Sequence, residues 1–319
     1  MSIYEIYILK ARAQLYRIYH NQKSKKSSGK SDPKVEYKRK MAEEVILPLV
    51  KQNQDKILKR NEAYLKMLCS AIIKETKREV MEVTVKTKSR LLVNVSSPFA
   101  WLIDEVGIDW DVTLDTPMIP ESTIKGVISA ALQFIAMEKS PNRDLAMEKK
   151  LNYDFLRNTL LGASDDAKKI SFIDLTKALP IAVDKRVSLL ERDVITPIYS
   201  GDRIEEHMAE PTPVQFLVIP PGVTFKFLVI IDKPRITKLL DLLKNKKHPK
   251  TKHYKEIEEQ LRNYTSKQIS QITPNEILTK IKEDIKKAIE FGFTKLGIGA
   301  KTSSGYGLFE VIGCSKENY

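Results

Sequence analysis

Residues Leu296-Gly297-Ile298-Gly299-Ala300-Lys301-Thr302-Ser303-Ser304-Gly305-Tyr306-Gly307 place four glycines, a lysine, three hydroxyls and an aromatic ring within a dozen positions. Glycine lets a backbone approach a ligand closely and adopt positive φ. Successive N–H groups in such a stretch suit phosphate oxygens, with hydroxyls and Lys301 as further donors. Tyr306 is suited to stack on a base or ribose. Two familiar nucleotide-binding signatures fail. A P-loop needs glycine directly before the lysine, where Ala300 stands, and it joins a strand to a helix, whereas here a helix precedes and a strand follows. A Rossmann fingerprint fails on the same order. A tight helix-to-strand turn without a ligand is the other reading of the local sequence.

A second constellation is Ile119-Pro120-Glu121-Ser122-Thr123-Ile124-Lys125-Gly126. Pro120 fixes the entry to a helix that Ser122 or Thr123 can cap. Lys125 then lies in the first turn, where a cation opposes the helix dipole. An anionic ligand there explains it; a surface lysine on a capped helix is the alternative. A third stretch runs from Arg192-Asp193-Val194-Ile195-Thr196-Pro197-Ile198-Tyr199 to His207 and Pro211-Thr212-Pro213-Val214-Gln215-Phe216. It reads as an extended loop entering a strand. His207 has Glu205, Glu206 and Glu210 beside it, which suits acid–base work or a metal. No ligand spacing accompanies it, and a solvated loop histidine is the favoured reading. Asp104, Asp109, Asp111 and Asp115 would suit Mg²⁺, but a solvated acidic loop, or a surface for a basic partner, is favoured over that. There is no Gly-x-Ser-x-Gly, no His-Glu-x-x-His and no Cys/His pair. We therefore expect no catalytic residue, no metal site and no cofactor.

The elements that must carry these stretches follow from hydrophobic period. Residues 3–19 suggest a short helix and 20–34 a low-complexity loop. Residues 35–79 read as helical with a break near Pro48, with Ile57, Tyr64, Leu65 and Leu68 as a core stripe. A strand or hairpin is expected over 82–96, helices over 122–137 and 153–161, and strands over 170–175, 214–219 and 223–231. Residues 244–255 carry six lysines and read as an exposed insertion. The clearest helix spans 274–291, capped by Thr273 with Glu276 completing a capping box, and Gly292 is expected as its left-handed stop. A strand over 308–312 follows the glycine loop. The pattern is α+β, with a ferredoxin-like sheet carrying long insertions.

The 319 residues hold 54 Lys+Arg against 41 Asp+Glu, and 42% are hydrophobic, which excludes a wholly disordered chain. Residues 1–90 carry 22 basic and 10 acidic residues, nearly the whole net charge of +13. That excess suits a polyanion, nucleic acid ahead of a membrane surface, or a solubilising face. Two cysteines exclude a disulfide scaffold, and no apolar run reaches the ~20 residues of a membrane span. A soluble, cytoplasmic protein is expected.

Taken together, the 297–307 loop and Ile119–Gly126 resemble the glycine-rich loop and the Ile-Pro-Gly-Ser-Ser-Leu-Lys-Gly segment of the RAMP superfamily of CRISPR-associated proteins. Asp193–Tyr199 and Pro211–Leu217 are similar to segments of the sixth-subunit family of the type III-B (Cmr) RNA-targeting effector. The likeness spans about 85–312. Glu121 stands where that family usually has glycine, and Ile198 where it often has histidine. The resemblance implies a ferredoxin-like (RRM-like) RAMP core over 81–319, with insertions near 195–213 and 241–272, behind a basic helical extension over 1–80. It implies a non-catalytic subunit that binds CRISPR RNA and the guide–target duplex and caps the backbone filament toward the guide's 3′ end. Its partners would be the other Cmr subunits, chiefly the backbone RAMP subunit, in antiviral defence. The implied RNA contacts are Ser122, Thr123, Lys125, Gly126, Gly297, Gly299, Lys301, Thr302, Ser303, Ser304, Gly305, Tyr306 and Gly307. The loop around 199–212 would be a thumb-like hairpin. A second RAMP activity, metal-independent cleavage of CRISPR RNA, would need His207 or His20 as general base.

Overall fold

The computed structural model describes residues 2–6, 8–10, 13, 41–93, 108–138, 153–162, 171–195, 214–245 and 252–315. The 20–34 loop, His20, Asp104, Glu105, the segment 196–213 with His207, and the lysines at 246–250 lie outside them.

Helix α1 (Leu47–Thr76) is preceded by a π-turn at Met41–Ile46. Pro48 falls in the first turn of α1, where a missing N–H breaks no hydrogen bond, so it starts the helix and does not kink it. Strand β1 (Glu79–Thr87) follows. It is not half of a hairpin: its partners are distant in sequence, and beyond it Leu91 makes a single bridge to Ile219. The short strands β2 (Trp110–Asp111) and β3 (Thr116–Pro117) lead into α2 (Glu121–Glu138). Strands β4 (Ile173–Leu175), β5 (Leu179–Val183), β6 (Glu191–Ile195), β7 (Val214–Val218) and β8 (Val223–Ile231) come next. Helices α3 (Lys233–Lys244), α4 (Lys252–Thr265) and α5 (Pro274–Phe291) and strand β9 (Phe309–Ser315) complete the order.

The main sheet is antiparallel in the order β4-β8-β1-β9, with β5 also on β8. On one face Val83, Val85, Phe225, Phe227, Val229 and Phe309 are buried among residues of α2 and α5. On the other, Val80, Leu179, Leu228 and Ile230 pack against Leu65 and Cys69 of α1. Both faces of β8 are therefore dry, which explains its unbroken apolar run from Phe227 to Ile231. The expected stripe of α1 packs as read, with Ile57 and Leu65 buried and Tyr64 and Leu68 against the core.

The lysine-rich stretch 244–255 is exposed where it is described, at Lys244, Asn245 and Lys255, and helices flank it on both sides. Ile236, Leu239, Leu240 and Leu243 of α3 and Ile257, Leu261 and Tyr264 of α4 are core residues, and the Tyr264 hydroxyl donates to buried Asp284 at 2.9 Å. Of the four aspartates expected in a solvated loop, the three that are described, Asp109, Asp111 and Asp115, are buried. Asp115 accepts from the Ile3 and Tyr4 amides (2.6 and 3.1 Å) and from Trp110 Nε1 (3.1 Å), so it pins the N-terminal segment. Asp111 accepts from the Thr113 and Leu114 amides, both at 2.9 Å, and pairs with Lys177. Among the described residues, no group of three His, Cys, Asp or Glu is arranged to hold a metal ion. None of the described helices is long and apolar enough to cross a membrane.

Burial acts to raise the Asp111 carboxyl, but the Lys177 ammonium and the two amides outweigh it and hold it below the ordinary value. A depressed pKa contributes stability above the carboxylate range that fades as pH falls through the folded value. Asp111→Asn should cost about 1–3 kcal/mol at neutral pH. In urea melts the gap to wild type should close below about pH 3; a gap independent of pH would mean that the charge is not what stabilises the turn.

Candidate nucleic-acid interface

Helix α5 begins as its sequence directs, with Thr273 Oγ1 accepting from the Glu276 amide at 3.3 Å. Its end differs from the expected left-handed stop. Gly292 is right-handed (φ −62°, ψ −46°) and continues into a π-turn at Gly292–Leu296. A Cβ there would lie 2.7 Å from Val127 Cγ1, so this glycine lets α2 lie close against the turn. That contact joins the two constellations: Val127 is two residues past Lys125, and Gly292 is five before Gly297.

The chain reverses at Gly297 (φ 77°) and runs as a loop to Gly307. Most of its amides are used internally. Gly297 N–H donates to Gly292 at 2.9 Å, Ile298 to Gly307 at 2.8 Å, Ala300 to Leu92 at 2.8 Å and Gly307 to Arg90 at 2.8 Å. Ser304, Gly305 and Tyr306 donate back to the carbonyls of Lys301 and Thr302. The N–H groups of Gly299, Lys301, Thr302 and Ser303 have no acceptor among the described residues. Lys301 (φ 60°) leads a 3-10 turn at Thr302–Ser304, and Gly299, Lys301, Ser303, Ser304 and Gly305 are exposed. The loop thus presents one cation, hydroxyls and a short run of amides without an internal acceptor, donors suited to an anionic oxygen.

Tyr306 is half-buried and held by contacts within the protein. Its ring packs with Leu92, Phe216 and Val218, and its hydroxyl donates to Asp193 on β6. Burial and that carboxylate push the phenol up to about 12. Arg90 lies 3.4 Å from Asp193 and 3.2 Å from Glu191. Nothing in spacing links positions 90, 193 and 306, so neither Asp193 nor Arg90 is legible as a site residue from the sequence.

Helix α2 starts at Glu121, one residue earlier than the expected cap. The Pro120 carbonyl accepts from the Thr123 and Ile124 amides at 3.1 and 3.2 Å, so Ser122 and Thr123 lie inside the first turn and neither caps it. Glu121, Ser122 and Gly126 are exposed, and Lys125 is half-buried with no carboxylate partner among the described residues.

An antiparallel sheet in an α+β fold, two packed helices and a glycine-rich loop entering the last strand define the class: the RAMP superfamily model matches residues 103–310, and the chain belongs to that superfamily. Within it, the chain is similar to the CRISPR system CMR subunit Cmr6 of Saccharolobus solfataricus, 27% identical over 204 residues, which is 64% of this chain and 64% of that protein. The match therefore spans less than two thirds of that relative. In fold the chain is similar to a chain in the cryo-EM structure of the Type III-B Cmr-beta bound to cognate target RNA (TM-score 0.57, 24% identity, 88% of this chain and 72% of that one). The crystal structure of Cmr6 from Pyrococcus furiosus aligns with a TM-score of 0.38 at 18% identity, over 75% of this chain and all of that one.

Proposed function

We propose that this chain is a non-catalytic, CRISPR RNA-binding subunit of a type III-B Cmr effector that caps the backbone filament toward the guide's 3′ end and acts against foreign RNA. The observation that carries the reading is the loop itself: exposed Lys301 and the Lys301, Thr302 and Ser303 amides, which have no acceptor among the described residues, lie in a glycine-rich loop of a chain similar to Cmr6. The Lys125 end of α2 would add a second phosphate contact. The strand order supports a ferredoxin-like core built from β1, α2, β4 with β5, β8, α5 and β9. Bases do not stack on its sheet as on an RRM, because α1 covers the face opposite α2 and α5. Contact falls instead to the loop and the helix end. Partners are the other Cmr subunits, and the basic N-terminal extension is a docking surface or an auxiliary RNA contact.

Lys301→Ala and Lys125→Ala should each weaken binding of a synthetic CRISPR RNA about three- to tenfold and lower the salt slope by about 0.7 per lost phosphate contact. Unchanged affinity and slope would remove these contacts from the site. Incubation with repeat RNA tests the non-catalytic reading: cleavage that disappears in His207→Ala would make the chain a processing endoribonuclease instead.

A further inference from the structure

The segment 90–93 lies between two elements that are far apart in sequence. On one side Leu91 pairs with Ile219, just past β7, through hydrogen bonds of 2.8 and 3.0 Å. On the other, the carbonyls of Arg90 and Leu92 hold Gly307 and Ala300 of the glycine loop, both at 2.8 Å. The β6–β7 ribbon is a separate two-stranded sheet, so its position relative to the loop depends on these links. A side-chain bridge closes the same gap. Tyr306 donates to Asp193, Arg90 spans Asp193 and Glu191, and the Tyr306 ring is packed on Leu92, Phe216 and Val218.

We propose that Asp193 is a positioning residue: through Tyr306 and Arg90 it latches the glycine-rich loop to the β6–β7 ribbon and so holds Lys301 and the free amides of the loop in their phosphate-binding arrangement. This rests on the reading of the loop as an RNA contact. The opposing electrostatic effect makes the role distinguishable. Asp193 and Glu191 are anions close to a surface meant for phosphate, so deleting a charge there should by itself tighten RNA binding. A latch predicts the reverse sign. Tyr306 takes part from the same side, because its hydroxyl is the only part of the ring that phenylalanine would lack, and removing it leaves the packing against Phe216 and Val218 in place.

The test is a double-mutant cycle on the full chain with a labelled synthetic CRISPR RNA, at a temperature where circular dichroism shows every variant folded. Tyr306→Phe and Asp193→Asn should each weaken binding about fivefold, although the latter removes a negative charge. Lys301→Ala should cost about fivefold in the wild-type background and less than about twofold in the Tyr306→Phe background, because an unlatched loop no longer presents that lysine. Equal losses from Lys301→Ala in both backgrounds overturn the latch while leaving the loop contact standing. Tighter binding by Asp193→Asn overturns it as well. If Lys301→Ala changes nothing in the wild type, the loop contact and the latch fall together. Should Tyr306→Phe fail to fold, the cycle of Asp193→Asn with Lys301→Ala decides the same question.

Discussion

Gly307→Ala destabilises the protein by about 3 kcal/mol or more and lowers its melting temperature by about 5–10 °C. Two independent constraints meet at this residue. Its φ of 74° lies in the left-handed region, which costs an alanine about 1–2 kcal/mol. A Cβ would also stand 1.9 Å from the Ile298 carbonyl oxygen and 2.9 Å from Ile298 N. Both are backbone atoms and cannot swing aside. Relief requires Ile298 and Gly307 to separate, which breaks the Ile298-to-Gly307 and Gly307-to-Arg90 hydrogen bonds, both 2.8 Å, that fix the base of the loop. Gly305 is the control. It shares the left-handed conformation (φ 85°), but a Cβ there would meet nothing within 4 Å. Gly305→Ala should therefore cost only the conformational penalty of about 1–2 kcal/mol. Thermal melts of the two variants separate the causes, and equal losses would mean that the close approach at Gly307 does not decide its identity. RNA affinity should follow the same ranking, because the Lys301 turn is suspended between Gly299 and Gly307.

The contrast shows what a sequence can and cannot say about this site. The density of glycines made the loop legible, as did the lysine and hydroxyls between them. Which glycine is held by a carbonyl and which by φ alone is not written in the spacing, since it depends on how the loop folds back, Gly307 against Ile298, and, at Gly299, on the Leu92 carbonyl some two hundred residues earlier. Gly292 is the same lesson in reverse. A glycine just past a periodic apolar run reads as a left-handed stop, yet its place is dictated by Val127 on another helix. Tyr306 was read for its ring, and its hydroxyl partner, Asp193, became visible only in three dimensions.

The fold divides along the same line. Strands β1 and β8 and helices α2 and α5 were legible because each presents a clean period and, in α5, a cap. Helices α3 and α4 were less so, because the lysine-rich stretch between them draws the eye to an exposed insertion and away from the i, i+3, i+4, i+7 spacing of Ile236, Leu239, Leu240 and Leu243. The acidic stretch misled for a related reason. Carboxylates are usually solvated, and only neighbours such as the Ile3 amide, Trp110 and Lys177 make burial of Asp111 and Asp115 tolerable.

Phe293→Ala should be the other severe substitution, at about 3–5 kcal/mol. The ring is wholly buried in the π-turn that feeds the loop. It stacks on Phe227 of β8 (centroids 5.7 Å, planes 12° apart) and meets Phe309 of β9 edge-on at 5.4 Å. Phe309 in turn touches Phe225 at 6.4 Å. The four rings tie the start and end of the loop to the central strand, since Phe293 precedes Gly297 by four residues and Phe309 follows Gly307 by two. Alanine would empty the space beneath the loop while leaving every polar group of the loop intact. Stability and RNA affinity should therefore fall together, with a large drop in the urea midpoint. Phe293→Leu, which refills most of the volume, should recover all but about 1.5 kcal/mol and most of the binding. A Phe293→Ala variant that melts early but binds RNA with wild-type affinity below its melting temperature would show that the loop holds its shape without the aromatic cluster. The backbone links to Arg90 and Leu92 would then be sufficient to position Lys301.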